Sequence, residues 1–213
     1  MNLSRYIVSF ALLVIASNVN AAILTPSQGY SVYTTNGGTN SYTTTDVYAG
    51  DTGNLTAESA RIYEQFNLPT FTPGSSASSA TFSIEVNSEY SNAAASLGLY
   101  AVNDDSWTTS TSWQDKANLG TLLHSFNPES FSQILTFDVT SFINSEFLGD
   151  GIASFAIAGL TEYGSDNSWH YFTSYSSSLD ITVSAMPVPA PATLALLALG
   201  LAAIGFKTKK RKA

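Results

Sequence analysis

Apolar and polar residues alternate with a period of two in six separate stretches of this chain. Ala80, Phe82, Ile84 and Val86 alternate with Thr81, Ser83 and Glu85, which puts them on one face of a half-buried strand. Leu97, Leu99 and Ala101 repeat the pattern, as do Leu135, Phe137 and Val139. Phe155 and Ile157 follow, then Trp169, Tyr171 and Thr173, and finally Leu179, Ile181 and Val183. The one helical spacing is Val139, Phe142, Ile143 and Phe147, which predicts a turn or two of helix after Asp138. Upstream, Ile23 to Gly53 is rich in Ser, Thr, Tyr, Asn and Gly, with turn signals at Gly37-Gly38 and Gly50-Asp51. Short runs such as Tyr42 to Tyr48 predict further strands there, against a competing reading as a disordered mucin-like leader. Many short strands with polar turns and almost no helix predict an all-β domain, an antiparallel β-sandwich or jelly roll.

Two uncharged apolar runs flank these strands. Residues 1–21 read as a secretory signal helix: Arg5 is the positive start, Ile7 to Ala16 the apolar run, and Val19-Asn20-Ala21 a small-residue cleavage pattern. Cleavage is expected after Ala21 or Ala22. At the other end, Pro189 and Pro191 stop any strand, because proline has no N–H to donate and fixes φ. The fifteen residues Ala192 to Phe206 carry no charge, and as a helix they reach roughly 22 Å, against roughly 30 Å of hydrocarbon. Val188 to Pro191 and a snorkelling Lys207 close most of that gap. Lys207, Lys209, Lys210, Arg211 and Lys212 would then hold the end on the cytoplasmic side. The expected organisation is a signal peptide (1–21), an extracytoplasmic β domain (22–185) and a tail (186–213). The tail divides into a Pro motif (188–191), a transmembrane helix (192–206) and a basic end (207–213).

Val188-Pro189-Ala190-Pro191, then Ala192-Thr193-Leu194-Ala195-Leu196-Leu197 with Gly200 and Leu201, resembles the PEP-CTERM sorting signal of Gram-negative bacteria. That family has a Pro-Glu-Pro motif, a helix of the type ATLALLxLGL and a basic terminus; Ala190 stands where it usually has Glu. The resemblance implies recognition and cleavage near the Pro motif by an exosortase, a membrane transpeptidase-like enzyme. Delivery to the cell surface or extracellular matrix would follow. A simple tail anchor in the membrane is the competing reading.

A second resemblance covers about Ala60 to Val183. Arg61-Ile62-Tyr63-Glu64-Gln65-Phe66-Asn67-Leu68-Pro69 is similar to the opening strand and turn of DNRLRE-type domains, β-sandwiches related to carbohydrate-binding modules. Leu99-Tyr100-Ala101-Val102 with Asp105-Ser106-Trp107 and Ser112-Trp113 is similar to that family's tryptophan-bearing segment, and Phe137-Asp138-Val139-Thr140 to its DVT strand. Phe172-Thr173-Ser174 falls at its ending. The resemblance implies a sandwich and, by analogy of fold, exopolysaccharide binding without catalysis.

Charge narrows the partners. Of eight Lys and Arg residues only Arg61 and Lys116 lie in the β domain, against all sixteen carboxylates, a formal charge of about −14. Such a surface repels nucleic acid and unbridged anionic polymers, and suits neutral glycans or divalent cations. There is no cysteine, so neither disulfides nor thiol chemistry are available. His124 and His170, the only histidines, do not make a zinc site. No Gly-x-Ser-x-Gly, HExxH or phosphate-loop motif occurs. Trp107, Trp113, Trp169, Tyr171 and Tyr175 are the candidate sugar-stacking residues. For Trp107 and Trp113 the preferred reading is that the pair pins a long loop onto the sandwich. Asp104, Asp105 and Asp150 are candidate ligands of a structural calcium, without a regular DxDxDG loop. A surface or matrix protein is thus the leading expectation. A polysaccharide hydrolase or lyase, using two converging carboxylates, and a purely structural coat protein are its rivals.

Overall fold

Each period-two stretch becomes a strand in the computed structural model, whose described residues are 19–35, 40–44, 47–52, 58–70, 75–90, 96–128, 132–160, 168–172 and 176–184. The expected signal helix upstream of Val19 and the whole tail from Ala185 lie outside them. In chain order the strands are β1 (Val19–Leu24), β2 (Gln28–Thr35), β3 (Asn40–Thr44), β4 (Val47–Thr52), β5 (Glu58–Asn67) and β6 (Ser76–Tyr90). They continue with β7 (Leu97–Val102), β8 (Leu122–Phe126), β9 (Gln133–Asp138), β10 (Ile152–Gly159), β11 (Ser168–Phe172) and β12 (Ser178–Ser184). The Ser/Thr-rich N-terminal segment therefore supplies strands where it is described. The helical spacing becomes α1 (Thr140–Glu146), which buries Phe142 and Ile143. Two side chains stitch it to β6: Thr140 Oγ1 accepts from Ala80 N (2.8 Å), and Asn144 bonds both backbone groups of Ala77 (2.8 and 3.1 Å). Among the described residues no helix is long and apolar enough to cross a membrane; the expected span 192–206 is not among them.

All strand pairs are antiparallel. One layer runs β1-β12-β6-β9 and the other β3-β2-β5-β10-β7-β8. The far half of β6 pairs with β11, β11 with β4, and β4 with the start of β5, so the layers join along one side. On the opposite side His124 Nε2 donates to the Asp138 carbonyl (2.7 Å) and Phe126 meets Phe137 at 4.8 Å, tying β8 to β9. Between the layers lies the main core, with Phe82, Ile84, Leu179 and Ile181 from one side and Ile62, Phe66, Leu99, Phe155 and Ile157 from the other. The result is an all-β antiparallel sandwich, as the periodicity predicts.

Alternation fails in β5, β7 and β10, where eight consecutive residues of β5, from Ser59 to Phe66, all six of β7 and six of β10, from Ala153 to Ala158, are buried. All three strands are covered twice: on the inner face by the other layer, on the outer face by the long β7–β8 connection, Asn103–Thr121. That connection, called the strap below, contains no strand and no helix.

β1 pairs residue for residue with β12 from Val19↔Ser184 to Leu24↔Leu179, and so includes Ala21 and Ala22, after which cleavage is expected.

Candidate functional site

The strap is pinned to the outer face of β2, β5, β7 and β10 by aromatic residues that sequence parity sends outward. On β5, Ile62 and Phe66 face the main core, so Arg61, Tyr63 and Gln65 face the strap. There Tyr30 stacks on Tyr63 (centroids 5.1 Å, planes 12° apart), and Trp107 tilts against both rings at 5.1 and 5.9 Å. Tyr100, Val102, Ala156 and Ala158 complete this second cluster with Trp113 and Ala117. Three side chains of the sheet reach the strap backbone. Tyr63 Oη donates to the Ala117 carbonyl (2.7 Å), Gln65 Nε2 to that of Asp105 (3.2 Å) and Gln28 Nε2 to that of Trp107 (3.3 Å).

Trp107 and Trp113 are only 5 % and 4 % exposed. As the molecule stands, both rings are buried under the strap. Burial of two indoles is what fixes a segment without secondary structure. The backbone of Trp169 and Tyr171 lies in β11; their side chains, and Tyr175, fall outside the described residues.

The Arg61 guanidinium lies 5.3 Å from the Trp113 ring centroid and the Lys116 ammonium 4.3 Å. These are the domain's only two cations. Arg61 Nη1 also donates to Tyr63 Oη (3.3 Å). Burial, and secondly the nearby Arg61, push the Lys116 pKa down to about 8. Burial raises the Tyr30 and Tyr63 phenols, with Arg61 opposing that rise at Tyr63. Both stay protonated, and Trp107 Nε1 is buried without a hydrogen bond.

The candidate calcium ligands divide. Asp104 accepts from the backbone N (3.0 Å) and hydroxyl (2.5 Å) of Ser106, which lower its pKa. Asp105 turns inward; burial raises its pKa, the Ser154 hydroxyl opposes, and Asp150 and Asp104 add to the rise. Glu146, not anticipated from sequence, belongs to the same group: burial, then Asp105 and Asp150, raise it. Asp150 Oδ1 meanwhile caps the Ile152 N–H (2.9 Å) across the positive-φ Gly151. Among the described residues no three His, Cys, Asp or Glu side chains converge closely enough to hold a metal ion.

Sequence reading also passed over Glu64. The parity of Ile62 and Phe66 sends it into the main core, where it is 4 % exposed. Burial pushes its carboxyl up to about 7, and the facing Ser177 hydroxyl lowers it only in part. Glu64 Oε2 and Ser177 Oγ are both buried, neither in hydrogen-bond geometry with any partner.

Two matches to known families follow this geometry. Residues 20–181, well over half of the chain, match carbohydrate-binding module family 96. Residues 187–212 match the PEP-CTERM protein-sorting motif, which implies export and sorting. No curated protein matches the chain. The two-layered sandwich with its pinned strap lies within the first match, and the chain accordingly belongs to carbohydrate-binding module family 96, with a PEP-CTERM protein-sorting motif following the module.

Proposed function

We propose that the chain is a non-enzymatic surface or extracellular-matrix protein of a Gram-negative bacterium that grips exopolysaccharide, neutral or bridged by calcium, after processing by an exosortase. Membership of a carbohydrate-binding module family, joined in one chain to a sorting motif, is the observation that carries this reading. The Val188–Pro191 motif would be the exosortase's substrate, and the apolar run 192–206 a membrane anchor in transit.

Affinity gel electrophoresis of the purified module tests the reading. A panel of neutral and uronate-bearing polysaccharides, each with calcium and with chelator, is expected to contain at least one that retards the module. Uniform mobility throughout the panel would leave a coat protein with no glycan ligand.

Export itself has a structural consequence. A cut after Ala21 removes the Val19↔Ser184, Asn20↔Val183 and Ala21↔Thr182 pairs and leaves Ala22 to Leu24 on β12. Amide exchange at Thr182 to Ser184 is therefore expected to be faster in a chain starting at Ala22 than in one starting at Val19, with Leu179 to Ile181 unchanged. Equal exchange would mean that the first half of β1 contributes nothing to the edge.

A further inference from the structure

The two outer faces of the sandwich are unlike. That of β5, β7 and β10 lies under the strap, and both cations of the domain, Arg61 and Lys116, are on that side with Trp113. The outer face of β1-β12-β6-β9 is open, and parity decides what it shows. Phe82 and Ile84 of β6, Phe137 of β9, and Leu179 and Ile181 of β12 face the main core, so the residues between them point outward. Register then lines these up across the strands. Ser178, Ser83 and Thr136 form one row, from β12 through β6 to β9. Asp180, Thr81 and Asp138 form the next, and Glu85 stands beside Ile134. Neighbours within a row are about 4.8 Å apart and the rows about 7 Å. Thr136, Asp138 and Asp180 are exposed, while Thr81, Ser83, Glu85 and Ser178 are partly so. Asp138 is engaged with Thr140, at 2.6 and 3.0 Å. Among the described residues, the side chains of Thr81, Ser83, Glu85, Thr136, Ser178 and Asp180 make no hydrogen bond. Ile23, 73 % exposed, and Ile134, 67 % exposed, border the face on its two edge strands.

We propose that this open face is the polysaccharide-binding surface, and that its ligand is an uncharged glycan laid across the Ser178–Ser83–Thr136 row. The inference rests on the polysaccharide-binding reading and gives it a place and a ligand class. The chemistry of the two surfaces is complementary. A neutral sugar presents hydroxyls that donate and accept. The Ser and Thr hydroxyls do both, whereas the Asp180 and Glu85 carboxylates only accept and draw charge-assisted bonds from sugar O–H groups. An anionic polymer would meet Asp138, Asp180 and Glu85 here without either cation of the domain, and is repelled. Ile23 and Ile134 offer the C–H faces of sugar rings apolar contact at the rim. Ladders on both sides of β6 hold the rows in register, and short Ser and Thr side chains lose little entropy when a ligand orders them.

The test runs the whole module in affinity gels containing a neutral glucan, mannan or galactan, and in gels containing a polyuronate with calcium or with chelator. At least one neutral polymer is expected to retard the wild type, and the polyuronate to leave it unretarded. Ser83→Ala should weaken binding to the retarding polymer about two- to ten-fold, the size of one neutral hydrogen bond, and Asp180→Ala about ten-fold or more, the size of a charge-assisted one. Both positions look outward, so urea midpoints close to wild type are expected and separate lost binding from lost fold. A second measurement needs no substitution. Titrating an oligosaccharide of the retarding polymer into the wild type should shift the backbone amide resonances of β6, β9 and β12 and leave those of the strap unmoved.

Wild-type retardation that both variants retain in full, or shifts confined to the strap and the strands beneath it, overturns the face while leaving polysaccharide binding intact. Retardation by the polyuronate with calcium alone overturns the uncharged ligand and leaves the module a cation-bridged binder. A module that sediments as a dimer, which Ser83→Arg dissociates, gives the face to a second copy of the chain and overturns its use for sugar. Failure of every polysaccharide to retard the wild type removes the binding reading, and the face with it.

Discussion

Raising the pH from 5 to 8 is expected to cost the module about 2 to 3 kcal/mol of unfolding free energy through Glu64, and Glu64→Gln to remove that loss. The cause is a carboxyl among Ile62, Phe66 and Phe155 in the main core. Burial there penalises the charged form, so its pKa rises from 4.5 to about 7, with only the Ser177 hydroxyl opposing. A carboxyl whose folded pKa is raised binds its proton more tightly in the folded state. Its contribution is at its best below about 4.5, falls as pH climbs to about 7, and is level above that. Asp104 and Asp138, lowered by Ser106 and Thr140, act in the opposite direction and at lower pH. The comparison with Glu64→Gln, which keeps the shape and the neutral state, isolates the core group. Urea unfolding at pH 5, 6, 7 and 8 decides it. A wild-type profile parallel to that of Glu64→Gln would mean that Glu64 is hydrated or partnered in the folded state.

Glu64 also marks the limit of what the sequence conveys. Strands covered on one face announce themselves, because water on the other face selects polar residues at every second position. Hence β6, β9 and β12 read directly, and α1 is visible in the spacing of Phe142 and Ile143. The strap broke that logic for β5 and β10. It buries their outer face, yet the residues there, Arg61, Tyr63 and Gln65, are polar enough to look exposed. Each is instead occupied with a hydrogen bond or a ring contact under the strap. The strap has no periodicity because it has no regular structure. Its two tryptophans were legible as either a platform or a pin, and only the position of Tyr30 and Tyr63, from strands far earlier in the chain, separates those readings. The gathering of Arg61 and Lys116 on Trp113 is likewise a product of long-range pairing, invisible to spacing. So is the grouping of Glu146 with Asp105 and Asp150. The tail needed no such context, since order and composition alone carry a sorting signal.

Adjacent residues of β10 should separate the two cores. Phe155→Ala is expected to destabilise the module by about 3–5 kcal/mol, because its ring meets Phe66 at 5.8 Å, Phe82 at 4.9 Å and Phe142 at 5.2 Å. Those partners come from both layers and from α1, so one cavity would weaken every joint of the sandwich at once. Ala156, the next residue, points the other way, under Tyr30, Tyr63 and Trp107. Ala156→Phe overfills that space at a cost of about 1–3 kcal/mol, and the element that yields is the strap. The sheet is held by continuous ladders on both sides of β10, whereas the strap has no ladder and is fixed by separate hydrogen bonds, among them those from Gln28, Tyr63 and Gln65, and by its two indoles. Ala156→Phe should therefore lose the near-ultraviolet dichroism of its tryptophans and gain amide exchange from Ser106 to Ala117, with β10 still protected. Phe155→Ala should instead lower the urea midpoint for every probe together. If Ala156→Phe lowered protection in β10 as far as in the strap, the two clusters would be one cooperative core.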